Sequence, residues 1–213
     1  MKIKNPQWLQ VSEIEKAPYG FSQYWYSTDF KRTRGCGPRA AAMQLAYVSR
    51  REQDDTFLCD NTVEATQLLM EKVWDFITPG RFLGLNSTEK FCSGMSVLLR
   101  YYHLPWQCQR MSVPLLSFQR PGLAEVIAFI EAGLALDCPV AFLNLQRGQA
   151  ITTDSWHWTI LVALEKDSQT NQYQATCYDN GRSITFDLGL WLKTTKLGGG
   201  FVYLTTDLFS APH

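Results

Sequence analysis

Gly35-Cys36-Gly37-Pro38-Arg39-Ala40-Ala41-Ala42-Met43 sets one cysteine at the mouth of a helix. Pro38 suits the first helical position, because its ring fixes a helical φ and it has no N–H to leave unpaired. Ala40 to Met43 are strong helix formers, and Leu45, Ala46 and Val48 carry an apolar face onward. The spacing predicts a helix from about Gly37 to Arg51. Gly35 and Gly37 leave room for a substrate backbone to approach Cys36. Helix-start amides and the helix dipole stabilise a thiolate there, and the thiolate is the nucleophilic form of cysteine. The position therefore points to covalent catalysis. Taken alone, a Gly-Cys-Gly triplet is better described as a small apolar residue packed at a helix start. The rest of the chain shifts that balance.

The chain has 213 residues, of which 46% are hydrophobic, enough to bury a sizeable core and too many for a disordered segment. Lysine plus arginine number 20, as do aspartate plus glutamate, so charge gives no reason to expect nucleic acid or an anionic membrane as partner. Cysteines at 36, 59, 92, 108, 138 and 177 form no CxxC pair and show no regular spacing. That pattern argues against a clustered zinc site and indicates no disulfide scaffold. Asp and Glu are too scattered for a metal-ligand set, and no glycine loop cradles phosphate, so neither metal nor cofactor is expected. Met1-Lys2-Ile3-Lys4-Asn5-Pro6 lacks the apolar core of a signal peptide, and no run approaches the roughly 20 apolar residues of a membrane span. The expectation is a reducing, cytoplasmic protein of one domain, residues 1–213.

Residues up to Arg34 read as irregular and aromatic-rich. A second helix, capped by Thr62 or Asn61, carries Val63, Leu68, Leu69, Val73, Trp74 and Ile77 and stops at Pro79-Gly80. Asn86 with Glu89 forms a capping box for a third through Met95, Leu98 and Leu99. Pro121-Gly122 opens a fourth, Leu123 to Leu136. Strands follow at Pro139 to Leu145, Trp158 to Leu164, Tyr173 to Tyr178 and Gly200 to Leu204. Helices before strands predict an α+β fold with a mostly antiparallel sheet. Its mainly helical half would be residues 1–136 and its mainly β half 137–213, with a cleft between them.

Three histidines are available. His213 is terminal, and His103 follows a helix end, where a structural or surface role fits best. His157 opens a core strand just after the polar stretch 149–155, where a strand delivers a side chain to a cleft rim. A cysteine at a helix start and a histidine at a strand start are what a thiolate–imidazolium pair requires. The imidazole needs an orienting acceptor. The next strand runs into Asp179-Asn180-Gly181-Arg182, which is also an ordinary turn signal. Alternation lets only one of Asp179 and Asn180 face the histidine, and Asp179 is favoured. The Cys36 N–H is one candidate oxyanion donor, and the side-chain amide of Gln23 is another. Composition alone makes Gln23 an ordinary exposed loop residue.

Together these residues resemble the papain-like cysteine peptidase superfamily, and most closely the stand-alone C39-like peptidases. The likeness runs over about residues 19 to 205. In order it takes in Gln23, Gly35 to Met43, Asp137-Cys138-Pro139-Val140, His157-Trp158 and Tyr178-Asp179. The resemblance implies a papain-like fold, with the helical half packed on the antiparallel sheet. It implies Cys36 as nucleophile, His157 as general base and then acid, Asp179 as its orienting partner, and Gln23 with the Cys36 N–H as oxyanion hole. Gly35, Gly37, Trp156, Trp158 and Asn180 are the expected substrate contacts. Two departures stand out: Trp156 replaces the glycine that many relatives carry before the histidine, and Asn180 follows Asp179 where many have proline. Gly198-Gly199-Gly200 reads as a flexible turn before the last strand rather than a double-glycine cleavage site.

The expected reaction is hydrolysis of a peptide or amide bond in a peptide or protein substrate. The same residues would serve an acyltransferase or transglutaminase-like enzyme, since fold does not choose the acceptor. Crowding by Trp25, Trp156 and Trp158 would favour an acceptor other than water. An inactive peptide-binding module is the third possibility, and the sequence is silent on oligomeric state.

Overall fold

The computed structural model describes residues 1–16, 18–80, 84–150 and 154–206. His213 lies outside the described residues, as do positions 151–153 of the polar stretch before His157. In chain order the elements are α1 (Asp29–Arg34), α2 (Cys36–Glu52), α3 (Val63–Trp74), α4 (Thr88–Tyr101), β1 (Gln107–Val113), α5 (Leu123–Ala135), β2 (Val140–Asn144), β3 (His157–Lys166), β4 (Tyr173–Asp179), β5 (Arg182–Asp187), α6 (Leu188–Thr194) and β6 (Gly199–Thr205). The six strands form one sheet in the order β1-β6-β2-β3-β4-β5, antiparallel throughout. The expected α+β mixture is present.

The helix starts follow local chemistry. Thr62 accepts the Ala65 N–H at the start of α3, and Asp187 does the same for Leu190 at α6. For α4 the cap is Ser87, not Asn86: the Ser87 hydroxyl takes the Lys90 N–H, while Asn86 accepts from the Lys90 ammonium. Helix α2 begins at Cys36 itself, so Pro38 is its third residue, still within the turn where a missing N–H costs nothing. Every residue of α2 from Cys36 to Ser49 is buried, which makes it the central helix. Gln44, fully buried, donates to the carbonyls of Pro139 and Val202 and ties α2 to β2 and β6.

Two helices flank each face of the sheet. On one side Trp158 stacks on Phe91 of α4, and Gly200 passes close to Thr88. On the other, Phe142 and Phe201 pack against Trp191 of α6, and Gly133 of α5 lies against Val140 and Tyr203.

Several sequence expectations need correction. Strand β1, not expected from the sequence, lies in the mainly helical half and forms the sheet edge beside β6; its hydrophilic Gln-Cys-Gln-Arg start masked it. Helix α6, also not expected, lies in the mainly β half, and α1 occupies part of the segment read as irregular. Where no disulfide scaffold was indicated, Cys92 of α4 and Cys108 of β1 are joined, because α4 packs along β1 and brings their Cα atoms to 5.6 Å. The glycine run is not a flexible turn: Gly199 and Gly200 belong to β6, squeezed between β1 and β2. Gly199 has φ 153°, and a Cβ there would overlap the Leu143 carbonyl oxygen. Gly199→Ala is therefore expected to cost about 3 kcal/mol, read as a lower urea midpoint with an unchanged slope. An unchanged midpoint would show that β6 can shift to accommodate a side chain.

Candidate active site

The site forms where the first turn of α2 meets the start of β3 and the end of β4. Antiparallel pairing sets Ile160 opposite Tyr178. That register places Asp179 diagonally across from His157, on the same face. The imidazole Nε2 lies 2.8 Å from Asp179 Oδ1. This leaves Nδ1 for Cys36, whose thiol shares a hydrogen bond with the imidazole and another with the Trp158 backbone amide. Cys36 is 9% exposed and His157 7%, so the pair interacts in a medium that screens charge poorly.

The electrostatics follow from this geometry. Burial pushes the Cys36 thiol up, but the bond and charge of His157, the Trp158 amide and the Arg39 guanidinium outweigh it, and its pKa is lowered. Burial pushes His157 down, but Asp179 and Cys36 raise it to about 9. Asp179 would be raised by burial, yet Arg39 and His157 hold it at about 2. The three groups thus shift together toward a thiolate, an imidazolium and a carboxylate, and they titrate as a coupled set. The other free cysteines lack such partners: burial raises Cys59 to about 11 and Cys138 and Cys177 to about 12.

Arg39 was missed as a site residue. The sequence signal was a lone cation inside an otherwise apolar helix segment. Its guanidinium is fully buried. Nη2 lies 2.7 Å from Asp179 Oδ1 and donates to the Trp158 carbonyl at 2.6 Å. Nη1 donates to the Phe21 carbonyl and to Asn180 Oδ1, at 3.2 and 3.0 Å.

Of the expected site residues, Cys36, His157 and Asp179 come together. Asn180 does not approach the imidazole; its Oδ1 accepts from Arg39 and from the Gln23 backbone N–H at 3.0 Å. Gln23 opens a short 3₁₀ turn capped by Ser22, and its Oε1 is buried without a hydrogen-bond partner among the described residues. It is not the exposed loop glutamine that composition alone suggested.

Three expected substrate contacts serve packing instead. A Cβ at Gly35 would run into the Tyr26 ring, and one at Gly37 into Leu85, so both glycines admit neighbouring protein. Trp158 is fully buried on the sheet face opposite to His157, where strand alternation sends it; its indole stacks on Phe91 and donates to the Leu85 carbonyl. Trp156, by contrast, is 49% exposed, in a left-handed conformation (φ 59°) that turns the chain into β3. A pocket of about 110 Å³ lined by Tyr24, Asp154, Asp179, Asn180 and Arg182 opens beside the carboxylate.

No protein-family model, curated protein or solved structure matches this chain. No cluster of His, Cys, Asp and Glu among the described residues suits a metal ion. No described helix is long and apolar enough to cross a membrane.

Proposed function

We propose that this chain is a cysteine-dependent hydrolase of papain-like, C39-like type that cleaves a peptide or amide bond. The observation that carries this reading is the continuous contact from Cys36 through His157 to Asp179. The Cys36 thiolate attacks the carbonyl carbon, and an S–C bond forms as the carbonyl oxygen takes up the negative charge. The Cys36 N–H and the Gln23 amide are the donors proposed for that oxyanion. His157 gives its proton to the departing nitrogen, the C–N bond breaks and a thioester remains. His157 then takes a proton from water, which attacks the thioester and releases the acid.

Water is favoured as acceptor over an amine or thiol. The aromatic crowding that spoke for another acceptor loses one member to the core, Trp158, and Trp156 stands in solvent. A binding module has no need for a cysteine whose pKa is held down among cysteines whose pKa values are held up.

The test is turnover of a fluorogenic peptide-amide library by the wild type and by Cys36→Ala. Wild-type cleavage is expected, with a loss of at least about a thousandfold in the variant. Cleavage that survives Cys36→Ala, or a wild type inert toward the whole library, removes the reading.

A further inference from the structure

Arg39 reaches two structures that acyl transfer needs at once. One arm of the guanidinium holds Asp179, which orients the base. The other arm holds the Phe21 carbonyl and Asn180 Oδ1. Asn180 Oδ1 in turn accepts the N–H of Gln23, the first residue of the short turn. A planar fork with fixed donor directions can hold both arms; the single ammonium of a lysine cannot. Asn180 sits at φ 47°, a left-handed conformation that asparagine tolerates and that starts the turn into β5.

We propose that Arg39 and Asn180 form a positioning clamp that locks the Gln23 segment to the catalytic carboxylate, and so sets the alignment of the oxyanion hole, a role distinct from the positive charge that Arg39 lends to the Cys36 thiolate. This rests on the hydrolase reading above. As positioning residues Arg39 and Asn180 act through Gln23 and Asp179. The buried, unpartnered Oε1 of Gln23 fits a side chain held by its backbone rather than by its own amide oxygen.

Two reagents separate the two roles. Iodoacetamide alkylates a thiolate by displacement at a saturated carbon and creates no oxyanion. p-Nitrophenyl acetate acylates the same sulfur through a tetrahedral oxyanion: the S–C bond forms, the C–O bond breaks and p-nitrophenolate leaves. Both reactions are followed at Cys36 by peptide mapping, with Cys36→Ser as background, in wild type, Arg39→Lys, Asn180→Ala and the double variant. Arg39→Lys keeps a cation beside Asp179 but loses the fork, and Asn180→Ala removes the oxygen that joins Arg39 to the Gln23 N–H while Arg39 stays on Asp179. Each is expected to slow acylation about tenfold or more while alkylation at pH 6 stays within about twofold. The double variant is expected to lose little beyond either single one, because both break the same link.

Equal loss in both reactions would reduce Arg39 to a charge partner of the base. Unchanged acylation in Asn180→Ala would overturn the clamp outright. In these alkylation assays the hydrolase reading is judged on wild type and His157→Ala: if wild-type Cys36 shows no His157-dependent alkylation at pH 6, that reading fails whatever the clamp variants do.

Discussion

His157→Ala is expected to abolish the fast alkylation of Cys36 at pH 6. In the wild type, the lowered thiol pKa and the imidazole raised to about 9 both favour the ion pair. Without the imidazole the thiol keeps its burial and loses its principal partner, so its pKa rises at least to the ordinary value of about 8.5. A thiol with that pKa is about 0.3% ionised at pH 6. Part of the loss is recovered because a more basic thiolate is a better nucleophile. The net expectation is a rate at pH 6 at least about tenfold lower, with the reactive limb moved to alkaline pH. Cys59, Cys138 and Cys177 serve as internal standards, since burial holds their pKa values at about 11 to 12. Hydrolysis of an amide is expected to fall above about pH 9, because the leaving nitrogen then finds no imidazolium to protonate it. Equal alkylation of wild type and variant at pH 6 would mean that no Cys36–His157 ion pair operates.

Arg39→Met is expected to destabilise the fold by about 3–5 kcal/mol at pH 7, because it leaves the Asp179 carboxylate in its buried place without its strongest cation. Methionine fills much of the volume, so the loss reports charge more than cavity. The pH dependence supplies the sign. Asp179 is depressed to about 2 in the folded chain against about 3.9 in an unfolded one, which contributes about 2–3 kcal/mol. That contribution is present above about pH 4 and is lost as pH falls toward 2. In Arg39→Met the folded Asp179 pKa moves back up, so less stability remains to be lost over that range. Urea unfolding at pH 7 and near pH 3 is therefore expected to show a gap between wild type and variant that narrows in acid. A midpoint unmoved at pH 7 would show that water or a shifted side chain replaces the arginine at no cost.

The two expectations have different reach because of where the residues lie. His157 acts on Cys36 and Asp179, and its loss changes reactivity. Arg39 has no exposed surface and reaches Phe21, Trp158, Asp179 and Asn180, so its removal disturbs three separate chain segments at once.

The sequence by itself determined the elements whose signals are local. Strong helix formers around Ala40-Ala41-Ala42 place α2, and Thr62 places the start of α3. Apolar β-rich runs place β2, β3, β4 and β6. The order of Cys36, His157 and Asp179 along the chain was legible for the same reason, since each sits at the end of a well-marked element. Only the tertiary structure decided what depends on neighbours distant in sequence. Strand β1 is hydrophilic at its start and owes its existence to pairing with β6. The Cys92–Cys108 bridge depends on α4 lying along β1. Trp158 and the two glycines beside Cys36 read as cleft residues until alternation and packing assigned them to the core. The choice between Asp179 and Asn180 turned on strand register, a long-range property. The role of Arg39 turned on four partners lying 18 to 141 residues away. A buried charge is tolerated only where its partners converge, and that convergence is a property of the folded chain rather than of any stretch of it.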